Sequence, residues 1–328
     1  MGLKWRLGYS ADVITEYGGT VLSRFLRDPR TVVEATVRAR ETLAGVLGAG
    51  VNLRPAPAAH GFLESEALGA QVEWPEDSWP APRAPILKEP DDIENLELVT
   101  DFMSRPSTAV LRDMRSYMEK HVGKGAGYLH EGHIGNGHIT TARNLRGDQI
   151  FIDLYERPAW CHRLFEFLTE NHILCTQDLW RYQGIKQPEF FHIADDFAGM
   201  IQPKLFEEFA LPYWKRSFEV LGKGCADVEL HSEVMHTEHL PLLRKLPITM
   251  VDYGQDPFVT VEEARRTGFK VSWHFKDLEV LTGTPESIES LYRSYADSGL
   301  EFIVVSFMHR RTPVENMRAL LNIARRCE

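Results

Sequence analysis

The tetrapeptide Leu230-His231-Ser232-Glu233 places an imidazole and a carboxylate two residues apart. On an extended backbone that spacing sends both side chains to one side. Nitrogen and oxygen donors together suit Zn²⁺ or another borderline divalent ion. A third donor from the last predicted strand, with His309 the nearest candidate, would complete three protein ligands and leave a position open. That is the pattern of a catalytic metal rather than a structural one. The metal-free reading of the same residues is that His231 hydrogen-bonds substrate or closes a strand. A second group, His130, Glu131, His133 and His138, lies in HEGHIGNGH. Its glycines predict a flexible loop, so His130 and His133 are expected to line a substrate pocket.

The other histidines have weaker claims. His236 and His239, near a helix start, are expected at the surface, and His60, His121, His162 and His172 are left as structural. No cysteine sits with a histidine in a nucleophile motif and no GxSxG elbow exists, which disfavours covalent acyl chemistry. The four cysteines, Cys161, Cys175, Cys225 and Cys327, form no CxxC pair, so a thiolate ribbon and a disulfide framework are both unsupported.

These side chains need a scaffold, and the second half of the chain supplies a regular one. EFFHIADD (189–196), ADVELHSE (226–233), PITMVDYG (247–254), FKVSWHFK (269–276) and EFIVVSF (301–307) read as strands. The helical stretches that follow them are 203–222, 239–245, 260–267, 285–297 and 314–326. Five strand-then-helix units argue for parallel strands joined by crossovers, and runs such as IVV suit strands buried on both faces. Upstream, GAGYLHEGH (125–133) reads as a strand, with helices expected from 140, over 158–183, and at 31–47, 92–104 and 108–121. The first ninety residues otherwise look irregular, with a proline-rich stretch from Pro55, and form an N-terminal arm packed on one 1–328 domain. The fold class expected is α/β, a (β/α)₈ TIM barrel, with a doubly wound open sheet as runner-up. GxGxxG between strand and helix and a Walker A loop are both missing.

Active sites of parallel α/β proteins lie at the C-terminal strand ends. Those ends carry Asp195 and Asp196, His231 and Glu233, Asp252 and Tyr253, His274, and Ser306 with His309. Asp195, Asp196 and His274 are expected to be catalytic, with an N-cap as the alternative for one aspartate. Tyr253 and Asp252 are expected to line the pocket with His130, His133 and Arg143, while His231, Glu233 and His309 hold the metal.

Composition narrows the partners. The 328 residues carry 37 Lys plus Arg against 47 Asp plus Glu, a formal charge of −10 with no long basic run, which speaks against nucleic acid. No segment is long and apolar enough to span a bilayer, and MGLKWRLGYSADV lacks the apolar core of a secretory signal. A cytoplasmic location is expected.

HIADDFAGMIQPKLFEEFALPYWKRSFE (192–219) resembles the central motif of the uroporphyrinogen decarboxylase superfamily. TTARNLRGDQIFIDLYERP (140–158), LHSE, LTGTPESI (281–288) and TPVENM (312–317) follow that family's pattern over residues 60–328. The resemblance implies a (β/α)₈ barrel with its cleft at the C-terminal strand ends. FLESEALGAQVEWPEDSWP (62–80) is similar to the corrinoid-linked methyltransferase branch, whereas the decarboxylases' N-terminal arginine-rich motif is not recognisable. That branch's zinc site resembles His-x-Cys plus a distant Cys. Here Glu233 stands in the first pair, and Ser306, Met308 and His309 occupy the later stretch. Trp273–His274 replaces the branch's usual Gly-Asn.

An oxygen- and nitrogen-rich site would hold a less thiophilic metal, better suited to polarising an oxygen substituent. The expected reaction is methyl transfer of the demethylase type, between a small methylated substrate and a corrinoid on a separate protein. A decarboxylase or lyase acting on a small carboxylated substrate, with Arg143 and Arg146 holding carboxylates, is the alternative. A non-catalytic small-molecule-binding barrel is the third reading. A homodimer is the assembly considered.

Overall fold

The computed structural model describes residues 4–48, 50–58, 60–130, 134, 136–307 and 310–327. Its main sheet is parallel and six-stranded in the order β1-β8-β7-β6-β5-β4. The strands are β1 (Lys4–Tyr9), β4 (Phe190–Ala194), β5 (Asp227–His231), β6 (Met250–Asp252), β7 (Lys270–His274) and β8 (Phe302–Phe307). Two short strands, β2 (Val72–Glu73) and β3 (Ala81–Pro82), form an antiparallel hairpin outside it.

The first strand pairs with the last, Lys4 opposite Phe302 through Tyr9 opposite Phe307. That pairing curls the sheet into a (β/α)₈-type barrel. Among the described residues no strand of this sheet lies between β1 and β4 in the chain. Gly137 N donates to Ala194 O at 2.6 Å, and Glu64 N donates to Ile134 O at 2.7 Å, so the intervening segments continue the wall by single backbone bonds.

All five strands expected in the second half are present, and the long helix runs Pro158–Gln183 until Gly184 ends it in the left-handed region. The helix expected over 31–47 spans Pro29–Leu47, where the Asp28 carboxylate accepts from the amides of Arg30 and Thr31. Three expectations fail. Lys4–Tyr9, read within an irregular arm, is a barrel strand. The helix expected over 92–104 is two short 3₁₀ turns, Pro90–Asn95 and Phe102–Ser104. Side chains of the long helix take its backbone amides, Asn171 from Val99 at 2.9 Å and Asp178 from Met103 at 2.8 Å. Residues 125–130, expected as a strand, form none, because the Gln183 side-chain amide satisfies both backbone groups of Leu129 at 2.8 Å.

Strand alternation divides the sheet into two chemically distinct faces. Phe191, Ile193, Val228, Leu230, Val251, Val271, Trp273, Ile303 and Val305 point to the helices and are buried. Each such side chain contributes roughly 1.5–3 kcal/mol of burial. The opposite face carries His192, Glu229, His231, Asp252, Ser272 and His274, and all but Ser272 are partly accessible. Barrel interiors are ordinarily packed with branched apolar residues. Here that face is largely polar, with Met250 and the buried Val304 as apolar members. No helix among the described residues is long and apolar enough to cross a membrane.

Candidate active site

At the C-terminal end of the barrel the strand ends are knitted together. Asp195 N donates to His231 O at 2.9 Å, Ser232 N to Asp252 O at 3.0 Å, and Ser232 Oγ to Asp195 O at 2.8 Å. This brings four ionisable side chains into contact. His231 Nε2 lies 3.2 Å from Asp196 Oδ1, and His231 Nδ1 lies 3.4 Å from Asp252 Oδ2. His274 Nε2 lies 3.0 Å from Asp252 Oδ1, which also accepts from Gly254 N at 2.7 Å.

Burial opposes charge on His231, but hydrogen bonds to Asp196 and Asp252 outweigh it and hold the imidazole well above its usual pKa. Burial would likewise raise Asp252, yet its bonds to His231 and His274 keep its carboxyl far below the usual range.

Glu233 faces the same space. Its Oε1 accepts from Gln255 N at 2.7 Å. A Cβ on Gly254 would fall 2.2 Å from that oxygen and 2.8 Å from His231 Cε1, so both side chains pack against this residue and only glycine fits. The residue after Glu233, Val234, sits at φ 59°, a left-handed conformation costly for a β-branched side chain. Lys276 Nζ closes the rim, donating to Gly254 O at 3.0 Å and standing 4.6 Å over the Trp273 ring.

Asp195 serves a different purpose from its neighbour. It is fully buried and accepts from Thr140 N at 2.8 Å, Thr140 Oγ1 at 2.7 Å, Ile139 N at 3.3 Å and Trp214 Nε1 at 2.9 Å. The helix His138–Arg146 begins after Gly137, which has no capping side chain, and a Cβ there would meet Asp195 Oδ2 at 2.4 Å. Asp195 therefore caps that helix from another strand and has no face toward the cleft. The capping alternative holds, but for a distant helix rather than the following turn.

Other expected residues also move. Tyr253 points away from Asp252 into the helix layer, 2% exposed, its hydroxyl toward Thr267 and its pKa pushed up by burial. Arg146 is 5% exposed and pairs with Asp153 at 2.7 Å while donating to the carbonyls of Leu87 and Lys88, so it holds structure rather than a substrate carboxylate. Arg143 stands at the rim, 4.8 Å over the Phe197 ring and 3.0 Å from Asp148. His130 is exposed, edge-on to Tyr128. His239, expected at the surface, is buried with Nε2 2.8 Å from Ile201 O. His133 and His309 lie outside the described residues.

Two residues of the interior were not anticipated. Glu229 and His192 lie one inward position below His231 and Ala194, and their Cα atoms are partners across β4 and β5. Burial and the nearby Asp252 push the Glu229 carboxyl up to about 7, and Ser272 Oγ donates to it at 3.1 Å. Burial and His231 bring His192 down to about 4. Applying the alternation rule to residues 190–194 and 227–231 would have found both.

Among the described residues no three His, Cys, Asp or Glu side chains are grouped to hold a metal ion. The donors at the cleft are nitrogen and oxygen. Cys161 and Cys175 are buried in the long helix, Cys161 with its thiol pushed up to about 12 by burial, and Cys225 lies against Leu221 and Gln187 at the opposite strand ends.

Comparison with known proteins places the chain in a family and a fold. A family model described as uroporphyrinogen decarboxylase matches residues 60–327. A uroporphyrinogen decarboxylase from Hordeum vulgare is 28% identical over 182 residues, 52% of either chain, so this chain spans about half the length of that curated relative. A methyltransferase from Methanosarcina mazei has a similar fold, with a TM-score of 0.73 at 14% identity, covering 99% of this chain and 94% of that one.

Proposed function

The chain belongs to the uroporphyrinogen decarboxylase family, and on that premise we propose that it is a metal-dependent methyltransferase of the demethylase type. It would move a methyl group between a small methylated substrate and a corrinoid carried by a separate protein. The observation that carries this reading is the grouping of His231 and Glu233 with Asp196 and Asp252 around Gly254, at the C-terminal mouth. Both donors and the neighbouring carboxylates are nitrogen and oxygen groups, which fits Zn²⁺ or another divalent ion. His231 and Glu233 would hold it, with His309, on the stretch after β8, as the third ligand. Such an ion supplies Lewis acidity toward the heteroatom bearing the methyl group, which lowers leaving-group basicity.

The chain's own residues do the remainder. Asp252 fixes the orientation of both His231 and His274 by accepting from each, the outer support a ligating or proton-carrying imidazole requires. Asp196, its side chain 44% exposed, is free to orient substrate or to take and return a proton at the mouth. Val234 and the Gln255 amide fix the Glu233 carboxylate on its turn.

Metal analysis of the purified protein beside His231→Ala and Glu233→Ala tests the reading. About one equivalent of divalent metal in the parent and a large loss in both variants, with unchanged melting, is expected. Equal content in all three, or none in any, defeats the ligand assignment.

One observation favours a metal-free second reading, decarboxylation or lysis of a small carboxylated substrate. His231 stands between two carboxylates, an arrangement that keeps a proton on the ring for donation to a carbanion. Chelation separates the two, because a decarboxylase of this kind retains activity in chelator and the methyltransferase loses it.

A further inference from the structure

We propose that the hollow of the barrel below His231 is a second subsite, in which His192 and Glu229 take the far, hydroxyl-bearing end of the substrate. The inference rests on the methyltransferase reading for which end of the substrate faces His231. The subsite itself rests on three observations.

The first is placement. His192, Glu229 and Met250 are successive Cα partners across β4, β5 and β6, all on the inward face, so they form one layer around the barrel axis. The second is accessibility. These inward side chains are partly accessible, whereas their outward neighbours Phe191, Val228, Leu230 and Val251 are buried against the helices. The layer faces the barrel axis rather than the helices. The third is unspent hydrogen-bonding capacity. His192 Nδ1 is shielded from solvent and has no partner among the described residues. Glu229 receives Ser272 Oγ on Oε2 alone at 3.1 Å, and a carboxyl has room for more. Buried polar groups left this way cost free energy unless something fills them.

The geometry also states what fits. Two residues along a strand separate the His231 and Glu229 layers by about 6.6 Å, close to the reach across one six-membered ring. Met250, beside Glu229 in the lower layer, offers an apolar wall there. A hydroxyl both donates and accepts, so it can serve one partner as donor and the other as acceptor. A carboxylate end would instead bring its acceptor oxygens against those of Glu229. The substrate class indicated is a small ring-sized methyl ether with a hydroxyl on the side opposite the methylated oxygen.

Binding measured by calorimetry with 4-methoxyphenol, anisole and 4-methoxybenzoate tests this without any turnover. The parent protein is expected to bind 4-methoxyphenol about tenfold or more tightly than anisole, since a site built for a hydroxyl rejects the analogue that lacks it. The benzoate should bind most weakly. His192→Phe and Glu229→Leu should erase the preference for the phenol. Glu229→Gln, which keeps size and hydrogen bonding, should retain it, and thermal melting shows which variants are folded. Equal affinity for phenol and anisole, tighter binding of the benzoate, no binding of the phenol, or a preference that survives in folded His192→Phe and Glu229→Leu would each overturn the proposal. A protein that shows the preference yet transfers no methyl group keeps the subsite and loses the methyltransferase reading. Methyl transfer without the preference does the reverse.

Discussion

Two carboxylates held by cationic partners show how the same charge is put to different ends. Asp153 lies outside the barrel on the helix Gln149–Glu156, where Arg146 at 2.7 Å and Arg157 at 2.6 Å hold it. Asp252 ends a central strand, where His231 and His274 hold it. Burial would raise both carboxyls, and in both the partners win and hold the carboxyl below its usual value. The partners differ in what they can do next. A guanidinium keeps its charge at every accessible pH and fixes geometry, whereas an imidazole can gain or lose its proton or bind a metal. The side chains of His231 and Asp252 are also 24% and 15% exposed, against none for Asp153. The first cluster is finished chemistry; the second is chemistry in reserve.

Breaking the first cluster should cost most. Asp153→Asn leaves Arg146, whose side chain is 4% exposed, without its counter-charge, and about 3–5 kcal/mol of stability should be lost in urea denaturation at pH 7. Because the folded-state value of Asp153 lies below the unfolded one of 3.8, its stabilisation is complete above that pH. It disappears as pH falls through the lower folded value. The variant's unfolding free energy should therefore fall less steeply in acid than the parent's.

Asp195 is the intermediate case, buried and saturated but without a cationic partner in hydrogen-bond contact. Asp195→Ala strands the amides of Ile139 and Thr140 and the Trp214 indole, for a loss of about 2–3 kcal/mol in the same denaturation. A loss no larger than that of an exposed aspartate would show that water replaces the cap. Asp252→Asn should cost least, about 1 kcal/mol or less, since the side chains of His231 and His274 reach water, which can replace the lost bonds. Its effect should appear in the titration of His231, followed by ring-proton resonance in chelated protein, as a shift to lower pH. A stability loss as large as that of Asp153→Asn would erase the distinction between the clusters.

The residues themselves explain how much of this was legible. The five strands of the second half announced themselves because IVV, FFHI and their kin are apolar on the helix-facing side and end in ionisable residues. His231, Asp252, Asp196 and His274 could be named from those ends because parallel strands deliver their C-termini to one place. Asp195 could not be told from Asp196 by type. Their opposite roles come from Gly137 and Thr140, more than fifty residues away. Tyr253 was misassigned although the information was present, since a residue next to an inward Asp252 must face outward. β1 was hidden because KWRLGY carries two basic residues in six and its ladder partner lies at the other end of the chain.

That last pairing has a kinetic consequence. Lys4 lies opposite Phe302, so one ladder joins residues separated by nearly the whole described chain. During synthesis the edge of β1 stays unmatched until β8 has been made, and contacts of such separation slow folding. A ribosome-bound chain lacking β8 would hold the β4–β7 sheet with an open seam, a surface suited to chaperone binding or to pairing with a second nascent copy. Production of this protein is thus expected to be governed by how quickly its last strand arrives.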